Sequence, residues 1–591
     1  MATAKWGQGF RLPGSGAITP SMPLDYAGFA GAFHAHQSQN PNRRAQLGID
    51  RDLGQLPDPS LAAAAQRLAS AAELLAQCKS LPRGALSFDQ SLDLDLAALT
   101  LRAEINRDNL TWGGGARLER TPSAGDDIGD GLFTLFINDP RHPEQRLADI
   151  TARVEGIPAY VEALLGRLKN PVTRWVKMDL TKVGGLGDLL DNLVAWSQTE
   201  KLGGSDALIS AVAQAKVALE RYSTQLAALK SSPDIHIGDA AMRRVIALRG
   251  IELSPEQLKQ VATDFLATNK QQVEALRQRL VAKYELSADT SSDQLQEFLA
   301  QRFKTPLPNH QLEDILTRYH AERRKILAFI EQRQLFPIPD QQDMLILRTP
   351  SFLEPTIPAG AMTSPPPFRA GTKTSLVYLT LSDELVAEHT ELSIPGMMIH
   401  EGIPGHHLQL SWGALHPSLI RRHIDAMDHA EGWTTMLEDY MLDVGYAAEL
   451  ADEVRFTTKR DIARIGARVA IDLFFMSGDK QYLDVGVECD LSSDDPFVAA
   501  GHLLYAVTGF VPGRVQAELN WYSQERGYPL SYLAGNHLVW QLKRDLAAAQ
   551  RGKLEGSALD REFHRVYLES GNMPVSFLRR VFEQQGLLGS P

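Results

Sequence analysis

Residues 400–407 of the chain read His400-Glu401-Gly402-Ile403-Pro404-Gly405-His406-His407. In the regular zinc-binding pattern H-E-x-x-H, histidines at positions i and i+4 of a helix share one face and bind a single ion. The glutamate beside the first histidine activates a water molecule on that ion. Position i+4 is Pro404 here, and a proline side chain cannot bind a metal. The stretch therefore predicts a metal site only if a later histidine takes that position.

His406 and His407 are the candidates, at positions i+6 and i+7 from His400. On an unbroken helix, His407 returns to the face of His400 but lies about 10 Å further along the axis, too far for one ion. The pair Pro404-Gly405 predicts a kink or a looped-out bulge at this point. Such a bulge would bring His406 to the position of the second ligand. The spacing alone leaves both histidines open.

A third ligand, a carboxylate or a histidine, is expected on a nearby helix. Residues 431–438 read EGWTTMLE, and they follow one predicted turn at residues 415–417 and an antiparallel return. Glu431 and Glu438 are seven residues apart, so they lie on one face of a helix. One of them can bind the metal while the other orients a ligand through a hydrogen bond.

Most of the remaining sequence has helical periodicity, which predicts a mainly α fold. The predicted helices cover residues 59–78, 91–108, 143–168, 205–230, 254–284 and 310–334. The glycine clusters at residues 113–115 and 184–187 lack the spacing of phosphate-binding motifs, and we expect both to be loops. Residues 375–381, SLVYLTL, are the strongest strand candidate because they are rich in β-branched and aromatic side chains.

The sequence pattern changes at Leu335, where a proline-rich stretch begins that runs to Phe368 and separates two regions of the chain. It includes Pro350, Pro355 and Pro358, and we expect it to be a non-helical connection. We place a domain boundary here, with a helical scaffold at residues 1–335 and a catalytic half at residues 336–591. A covering loop within one continuous unit is the alternative.

Composition excludes several classes of protein. The 591 residues carry 60 Lys+Arg and 72 Asp+Glu, a net charge of −12, which argues against a nucleic-acid partner. The two cysteines cannot build a disulfide framework, and no apolar run reaches the length of a membrane span. Residues 1–13 lack the apolar core of a signal peptide, so we expect a cytoplasmic protein.

The segments HEGIPGHHLQ and EGWTTMLED resemble the bacterial domain-of-unknown-function 885 family, whose pattern runs HExxPGHH and then EGWxxYxE. The resemblance extends to Tyr532-Leu533-Ala534-Gly535 and covers most of the chain. The family usually has tyrosine where this chain has Met436, which we interpret as a packing difference. The family is grouped with zincin metallopeptidases of the gluzincin type, and it is distantly similar to thimet oligopeptidase and the thermostable carboxypeptidases.

The resemblance implies a helical, zincin-like (gluzincin) architecture with a small edge β-sheet and one zinc ion per chain. In the related peptidases, the zinc-binding glutamate is followed by a second glutamate seven residues later. Aligned with them, His400, His406 and Glu431 are the ligands. Glu438 then orients a ligand, and His407 is left as the alternative ligand.

Other roles follow from the same resemblance. Tyr532 is similar to the C-terminal tyrosine that stabilises the oxyanion in related zincins. In gluzincins an extended peptide pairs with an edge strand that precedes the motif helix, and residues 375–381 correspond to that strand. Independently of the resemblance, Arg514 follows a Pro-Gly pair and is a candidate to hold a substrate carboxylate.

Together these features predict a zinc-dependent metallopeptidase that hydrolyses peptide bonds of short peptides, with Glu401 as the general base. One alternative is a metal-dependent hydrolase of a non-peptide amide or ester, because the same water activation serves any carbonyl substrate. The other is a non-catalytic, peptide-binding zincin-like protein, against which the retained Glu401 argues.

Overall fold

The computed structural model describes residues 25–349, 360–382 and 386–589. The expected mainly α fold is confirmed, since helices dominate these ranges and the sheets are small. The N-terminal residues used to expect no signal peptide, and Pro350, Pro355 and Pro358 of the proline-rich connection, lie outside the described residues. Within the described ranges, no helix combines the length and the apolar character that crossing a bilayer requires.

The first part of the chain is a succession of helices interrupted by one short hairpin. The helices and strands up to residue 333 are α1 (Tyr26–Gln37), α2 (Pro41–Leu47), α3 (Leu61–Ser80), α4 (Phe88–Asp108), β1 (Thr111–Trp112), β2 (Gly115–Ala116), α5 (Arg117–Arg120), α6 (Ala124–Ile137), α7 (Pro143–Arg167), α8 (Thr173–Thr199), α9 (Ser205–Ala228), α10 (Asp239–Leu248), α11 (Pro255–Lys283), α12 (Ser292–Arg302) and α13 (Glu313–Arg333). Serine caps start several of them: Ser87, Ser254 and Ser291 each form a capping box with a glutamine three residues later.

The glycine cluster at residues 184–187 corrects the expectation of a loop, because it lies inside α8. A Cβ atom added at Gly184, Gly185 or Gly187 would have no neighbour within 4 Å. These glycines therefore lie where the helix has open space around it. The helix continues through them because apolar residues on its other side, such as Leu186 and Leu190, are buried against α6 and α9.

Three strands form a small sheet next to the motif helix. They are β3 (Gln342–Arg348), β4 (Gly360–Thr363) and β5 (Lys373–Leu379), so part of the proline-rich connection is strand. The order is β3-β5-β4, with β5 parallel to β3 and antiparallel to β4. The strand expected at an edge is therefore the central strand. Its buried side chains, among them Val377 and Leu379, suit a strand covered on both sides.

The second part of the chain is again helical and carries the motif. Its helices are α14 (Ser393–Glu401), α15 (His406–Leu415), α16 (Met427–Asp443), α17 (Ala451–Ile462), α18 (Arg464–Ser477), α19 (Pro496–Thr508), α20 (Pro512–Gln524), α21 (Ser531–Ala549), α22 (Gly556–Glu569) and α23 (Val575–Gln584). Helix α14 contacts α13, α16 and α17, and α16 packs along α21.

The largest hydrophobic core contains residues from both parts of the chain, for example Phe29 and Leu92 together with Trp433 and Phe563. A separate core holds helices α6 to α9 together. The division at residues 335/336 stays a prediction. The first core supports α14, α15 and α16, so the motif helices rest on a rigid, close-packed base.

Candidate metal centre

The helix carrying the motif breaks where the Pro-Gly pair predicts. Helix α14 ends at Glu401, a four-residue loop follows, and α15 begins at His406. The loop folds back so tightly that a Cβ atom on Gly405 would overlap with the carbonyl oxygens of Ile399 and His400. Only glycine fits this close approach. The break turns His406 back towards His400, and their ring centroids lie 4.9 Å apart.

Trp433 holds the loop in this shape. Its indole Nε1 donates a hydrogen bond to the carbonyl oxygen of Pro404 at 2.9 Å, and its side chain is fully buried. Trp433 lies on α16, two residues after Glu431. The same helix therefore supplies an acidic side chain to the site and fixes the loop that precedes His406.

His400, His406 and Glu431 form a compact cluster. One ligand atom from each lies within 4.8 Å of the others. Glu431 Oε2 is 3.7 Å from His400 Nε2 and 3.4 Å from His406 Nε2. Tetrahedral zinc with bonds of about 2.0–2.1 Å separates neighbouring ligand atoms by about 3.3 Å, close to these distances.

The donor set also fits a cation chemically. Glu431 Oε2 is buried and has no hydrogen-bond partner among the described residues. An unpartnered buried carboxylate oxygen is costly unless a cation satisfies it. Two imidazoles and one carboxylate are also the ligand set of many catalytic zinc sites. These three residues could therefore hold one metal ion.

Glu438 orients His400. Its Oε1 lies 2.7 Å from His400 Nδ1, so Nδ1–H donates to the carboxylate and Nε2 faces Glu431. Burial opposes a charge on His400. The hydrogen bond to Glu438 and the charges of Glu401, Glu438 and Glu431 outweigh burial and raise the pKa of His400 to about 9. In the absence of a metal ion, a proton on His400 supplies the positive charge that a bound metal ion would otherwise supply.

The charge balance is reversed at Glu431. Burial would raise its pKa, but the positive charges of His406 and His400 and a hydrogen bond from Tyr532 lower it to about 2. Glu431 is therefore ionised at any physiological pH, as a metal ligand must be.

Glu401 is the last residue of α14 and is half-buried beside His400. The described residues offer its carboxylate no hydrogen bond. Its negative charge is felt at His400, where it helps to raise the pKa. A carboxylate without a fixed partner next to the ligand cluster has the position expected of a proton acceptor.

Tyr532 reaches the cluster because two helices pack unusually closely. A Cβ atom on Gly432 of α16 would lie 2.6 Å from the backbone of Gly535 of α21, and one on Gly535 would overlap with the Asp428 carbonyl oxygen. Burial, Glu431 and Tyr528 raise the pKa of Tyr532 well above its usual value. The phenol therefore stays protonated and can donate a hydrogen bond.

His407 lies outside the cluster, which corrects its assignment as an alternative ligand. Its side chain is fully buried, with Nδ1 2.8 Å from Ser375 Oγ and Nε2 2.6 Å from Gln342 Oε1. Both ring nitrogens are thus occupied by residues of β5 and β3. Burial, and then the charge of Arg323, lower the pKa of His407 to about 4. This histidine is neutral and joins α15 to the sheet.

Arg514 is placed at the start of α20, and its side chain is 49% exposed. Its guanidinium lies 3.6 Å from the centroid of the Phe510 ring and 3.8 Å from Asp461. None of these contacts involves the three candidate ligands.

Sequence reasoning missed Arg468 and Tyr528. The guanidinium of Arg468 lies 4.5 Å from the centroid of the Tyr532 ring, and the ring of Tyr528 lies 5.8 Å from it. A signal was present for each. Arg468 interrupts the apolar face of α18, and Tyr528 precedes Tyr532 by one helical turn in sequence.

Comparisons with known proteins agree on the fold. The sequence model of a family described as "Bacterial protein of unknown function (DUF885)" matches residues 41–582. A solved structure of a "putative lipoprotein of unknown function" from Shewanella oneidensis has a TM-score of 0.74 and 18% identity, covering 95% of this chain and 100% of that one. A "putative lipoprotein" from Colwellia psychrerythraea has a TM-score of 0.77 and 17% identity, covering 95% and 99%. No curated protein matches the chain.

Proposed function

Because the chain belongs to the DUF885 family of bacterial proteins of unknown function, we propose its activity from its own site: a zinc-dependent hydrolase that cleaves peptide bonds in short peptides. One observation carries the proposal. Two histidines and a glutamate converge to within 4.8 Å, and a carboxylate suited to act as a base follows the first histidine directly. A purely structural metal site has no need of that fourth residue.

His400, His406 and Glu431 would hold one zinc ion, which supplies Lewis-acid activation of water and of a carbonyl group. Glu401 takes the proton from the attacking water and delivers it to the leaving amine. Glu438 keeps His400 in the tautomer whose Nε2 faces the ligand cluster. Tyr532, held protonated by burial and by neighbouring charge, donates a hydrogen bond to the oxygen on which negative charge develops.

We also infer a zincin-like, gluzincin-type arrangement of these parts. A sheet precedes the motif helix, and a helix bearing a glutamate ligand and a second glutamate one heptad later follows it. The central position of β5 changes one detail of this arrangement. A peptide that adds to the sheet would pair with β3 or β4, since β5 already has a neighbour on each side.

For location, we infer a site outside the cytoplasm instead of the cytoplasmic one expected from the sequence. The support is that the two similar proteins from Shewanella oneidensis and Colwellia psychrerythraea are described as lipoproteins. Cell fractionation with an antibody against the chain tests this. Recovery with cytoplasmic markers would contradict it.

The decisive experiment substitutes the base and leaves the ligands intact. Glu401→Gln should retain near-stoichiometric zinc, measured by elemental mass spectrometry, while hydrolysis falls by about 10²- to 10⁴-fold. The activity is measured by mass spectrometry on a short-peptide library, with simple amides and esters in parallel. Glu449→Gln, an exposed glutamate far from the motif in sequence, is the matched control and should keep full activity.

Two outcomes would count against the proposal. Full hydrolysis by Glu401→Gln would remove the base from the mechanism. A wild-type protein that contains no metal and refuses added zinc would leave a peptide-binding protein without catalysis. Cleavage of amides or esters but of no peptide would keep the mechanism and change the substrate class.

A further inference from the structure

Helix α18 carries two charged side chains in a stretch that is otherwise apolar and buried. Residues 465–476 are all buried, and Arg468 and Asp472 are the charged residues among them. They are four residues apart, so they lie on one face of the helix. Burying a charged group costs free energy, and an apolar side chain in either position would avoid that cost. The contacts of the two residues show what they hold in place.

Both side chains contact the segment that leads into α21. The carboxylate of Asp472 accepts hydrogen bonds from the backbone N–H groups of Gly527 and Leu530, each at 3.1 Å, and so fixes the turn before the helix. One helical turn earlier on α18, the guanidinium of Arg468 lies over the ring of Tyr532, 4.5 Å from its centroid. Helix α18 therefore fixes both the backbone that precedes Tyr532 and the ring of Tyr532 itself.

Helix α20 holds Arg468 over that ring. The Nε of Arg468 donates a hydrogen bond to Tyr522 Oη at 2.9 Å, and a terminal nitrogen donates to Glu518 Oε2 at 2.9 Å. Tyr522 is buried and donates to the same oxygen of Glu518. Because charge-assisted hydrogen bonds to two fixed acceptors restrain the guanidinium, its contact with Tyr532 is rigid.

Aromatic side chains restrain the Tyr532 ring further. The ring centroid of Tyr528 lies 5.8 Å from that of Tyr532, and Trp521 meets Tyr532 edge-on at 6.3 Å. Trp521 also lies 5.1 Å from the guanidinium of Arg468. The hydroxyl of Tyr532 reaches Glu431, to which it donates a hydrogen bond. A donor that is to act on a developing charge has to be held in this way by the side chains around it.

We propose that Arg468 is a positioning residue, which holds the ring of Tyr532 so that the hydroxyl faces the oxygen on which negative charge develops. The inference rests on the proposed peptidase function and adds to it a residue that acts through Tyr532. A cation over the face of a tyrosine ring is attracted by the π electrons, and more strongly where water is kept out. The side chain of Arg468 is only 8% exposed and is already bonded to α20, so it holds Tyr532 and leaves substrate binding to other residues.

Steady-state kinetics on a cleaved peptide test the proposal with two variants at this position. Arg468→Met removes the charge and keeps an unbranched apolar stem, whereas Arg468→Lys keeps a cation beside the ring. Arg174→Met is the matched control. The guanidinium of Arg174 lies 4.4 Å from the centroid of the Phe497 ring, and its Nε donates to Asn520 of α20. None of its contacts within the described ranges involves Tyr532.

We expect kcat of Arg468→Met to fall by about 10- to 10²-fold, with KM and zinc content near their wild-type values. Arg468→Lys should recover part of this loss, and Arg174→Met should keep the wild-type kcat and KM. In a Tyr532→Phe background, Arg468→Met should lower kcat by less than about twofold, because the hydroxyl through which Arg468 acts is already missing.

Several results would overturn the proposal. An equal fall of kcat with and without the Tyr532 hydroxyl would show that Arg468 acts by another route. A rise in KM at constant kcat would assign Arg468 to substrate binding. A similar loss in Arg174→Met would make the effect one of general stability, and a lysine variant no better than the methionine variant would remove the cation from the explanation.

A measurement without turnover separates this inference from the proposed function. Crystal structures of the parent and of Arg468→Met, both free of metal, compare the orientation of Tyr532, and thermal unfolding checks that the variants fold. Should Arg468→Met fail to fold, Arg468→Lys takes its place. A wild-type protein that cleaves no peptide would refute the peptidase, yet a Tyr532 turned away from Glu431 in the variant would still support the positioning role. An unmoved Tyr532 would refute that role whatever the activity.

Discussion

His406 and His407 are neighbours in the chain, yet their side chains serve different parts of the molecule. His406 faces Glu431, whereas His407 is hydrogen-bonded to Ser375 and Gln342 of the sheet. His406→Ala should lose its zinc. His407→Ala should keep zinc but lose about 2–4 kcal/mol of unfolding free energy, because a buried imidazole is removed and Ser375, which is buried, and Gln342, which is half-buried, lose their hydrogen-bond partner. Elemental mass spectrometry and urea unfolding measure the two effects.

The pair of variants is its own control, since both remove a buried imidazole from the start of α15. Zinc loss in His407→Ala with zinc retained in His406→Ala would exchange the two roles. Zinc loss in both, with a folded protein, would show that the sheet contact is needed to position His406.

Tyr532 is expected to act on the transition state and not on binding. Tyr532→Phe keeps the ring beside Arg468 but removes the donor, so kcat should fall by about 10²- to 10³-fold. KM and zinc content should stay near their wild-type values. Steady-state kinetics on a cleaved peptide test this, with Tyr505→Phe, an exposed tyrosine, as the control. A rise in KM at constant kcat would assign Tyr532 to substrate binding.

Single residues differ in how far the sequence predicts them. His400 and the glutamate pair Glu431 and Glu438 follow from residue type and spacing, whereas the choice of Glu431 as the candidate ligand came from resemblance to related peptidases. The choice between His406 and His407 also came from resemblance to related peptidases, because spacing alone decides neither: on an unbroken helix His407 shares the face of His400 but lies too far along the axis. The loop that decides it is held by Trp433, 29 residues away in the chain from Pro404. A contact between residues so far apart in the chain produces no recognisable pattern in the sequence around His406.

Between elements, the close packing of α16 and α21 is what brings Tyr532 to the cluster. Gly535→Ala places a methyl group against the Asp428 carbonyl oxygen, so the helices must separate. We expect a loss of about 1–3 kcal/mol in unfolding free energy together with reduced turnover. Urea unfolding and peptide hydrolysis are measured on the same preparation.

Gly187→Ala in α8 is the matched control, because a Cβ atom there meets nothing within 4 Å. In that open position alanine should stabilise the helix by about 0.5–1 kcal/mol. A Gly535→Ala protein as stable and as active as the wild type would show that the helix pair tolerates separation.

Elements were predictable where the signals are local. The bounds of α3, α7, α9 and α11 lie within a few residues of those expected, since capping serines and amphipathic periodicity are encoded in sequence. The central position of β5 in its sheet was not predictable, because it depends on β3 and β4, which are formed by the proline-rich stretch and pair with β5 on either side. The glycines of α8 gave a wrong prediction for the opposite reason. Their cluster predicted a loop, but the burial of the apolar residues around them keeps the segment helical.

At the scale of the whole molecule, the described residues include more buried histidines with a lowered pKa than buried carboxyls with a raised pKa. Burial, the first cause in each case, lowers the pKa of His416 to about 4 and of His423 and His564 to about 3, against 6.5 when unfolded. Burial also lowers the pKa of His34, His320, His389 and His537. Their stabilisation is complete above pH 6.5 and is lost as the pH falls, because only the unfolded state takes up protons.

Four carboxyls of the described residues oppose this trend, and for two of them burial raises the pKa of Asp130 to about 6 and raises the pKa of Asp179 above its usual value. Burial raises the pKa of Asp428 and Asp472 to about 7, against 3.8 when unfolded, so their contribution grows as the pH falls below 7. The histidines outnumber them, and each group changes stability by at most about 1.4 kcal/mol per pH unit. We expect the unfolding free energy of the metal-free protein to fall by at least about 2 kcal/mol between pH 6.5 and 5.

Urea unfolding in a chelating buffer at several pH values measures this dependence. His564→Phe keeps the stacking on Phe336 and should make the dependence shallower, whereas His142→Gln, an exposed histidine, should not change it. A stability that is flat or rises towards pH 5 would mean that the buried carboxyls dominate.

The hydrogen bond from Trp433 to Pro404 makes the positions of two candidate ligands, Glu431 and His406, depend on the docking of one helix. Glu431 reaches the site only when α16 docks, and the loop before His406 takes its shape from a side chain of that same helix. Undocking α16 would thus remove one ligand and release a second in the same step, leaving His400 alone. We therefore expect no state in which only two of the three candidate ligands are in place. Zinc should bind only when α16 is docked.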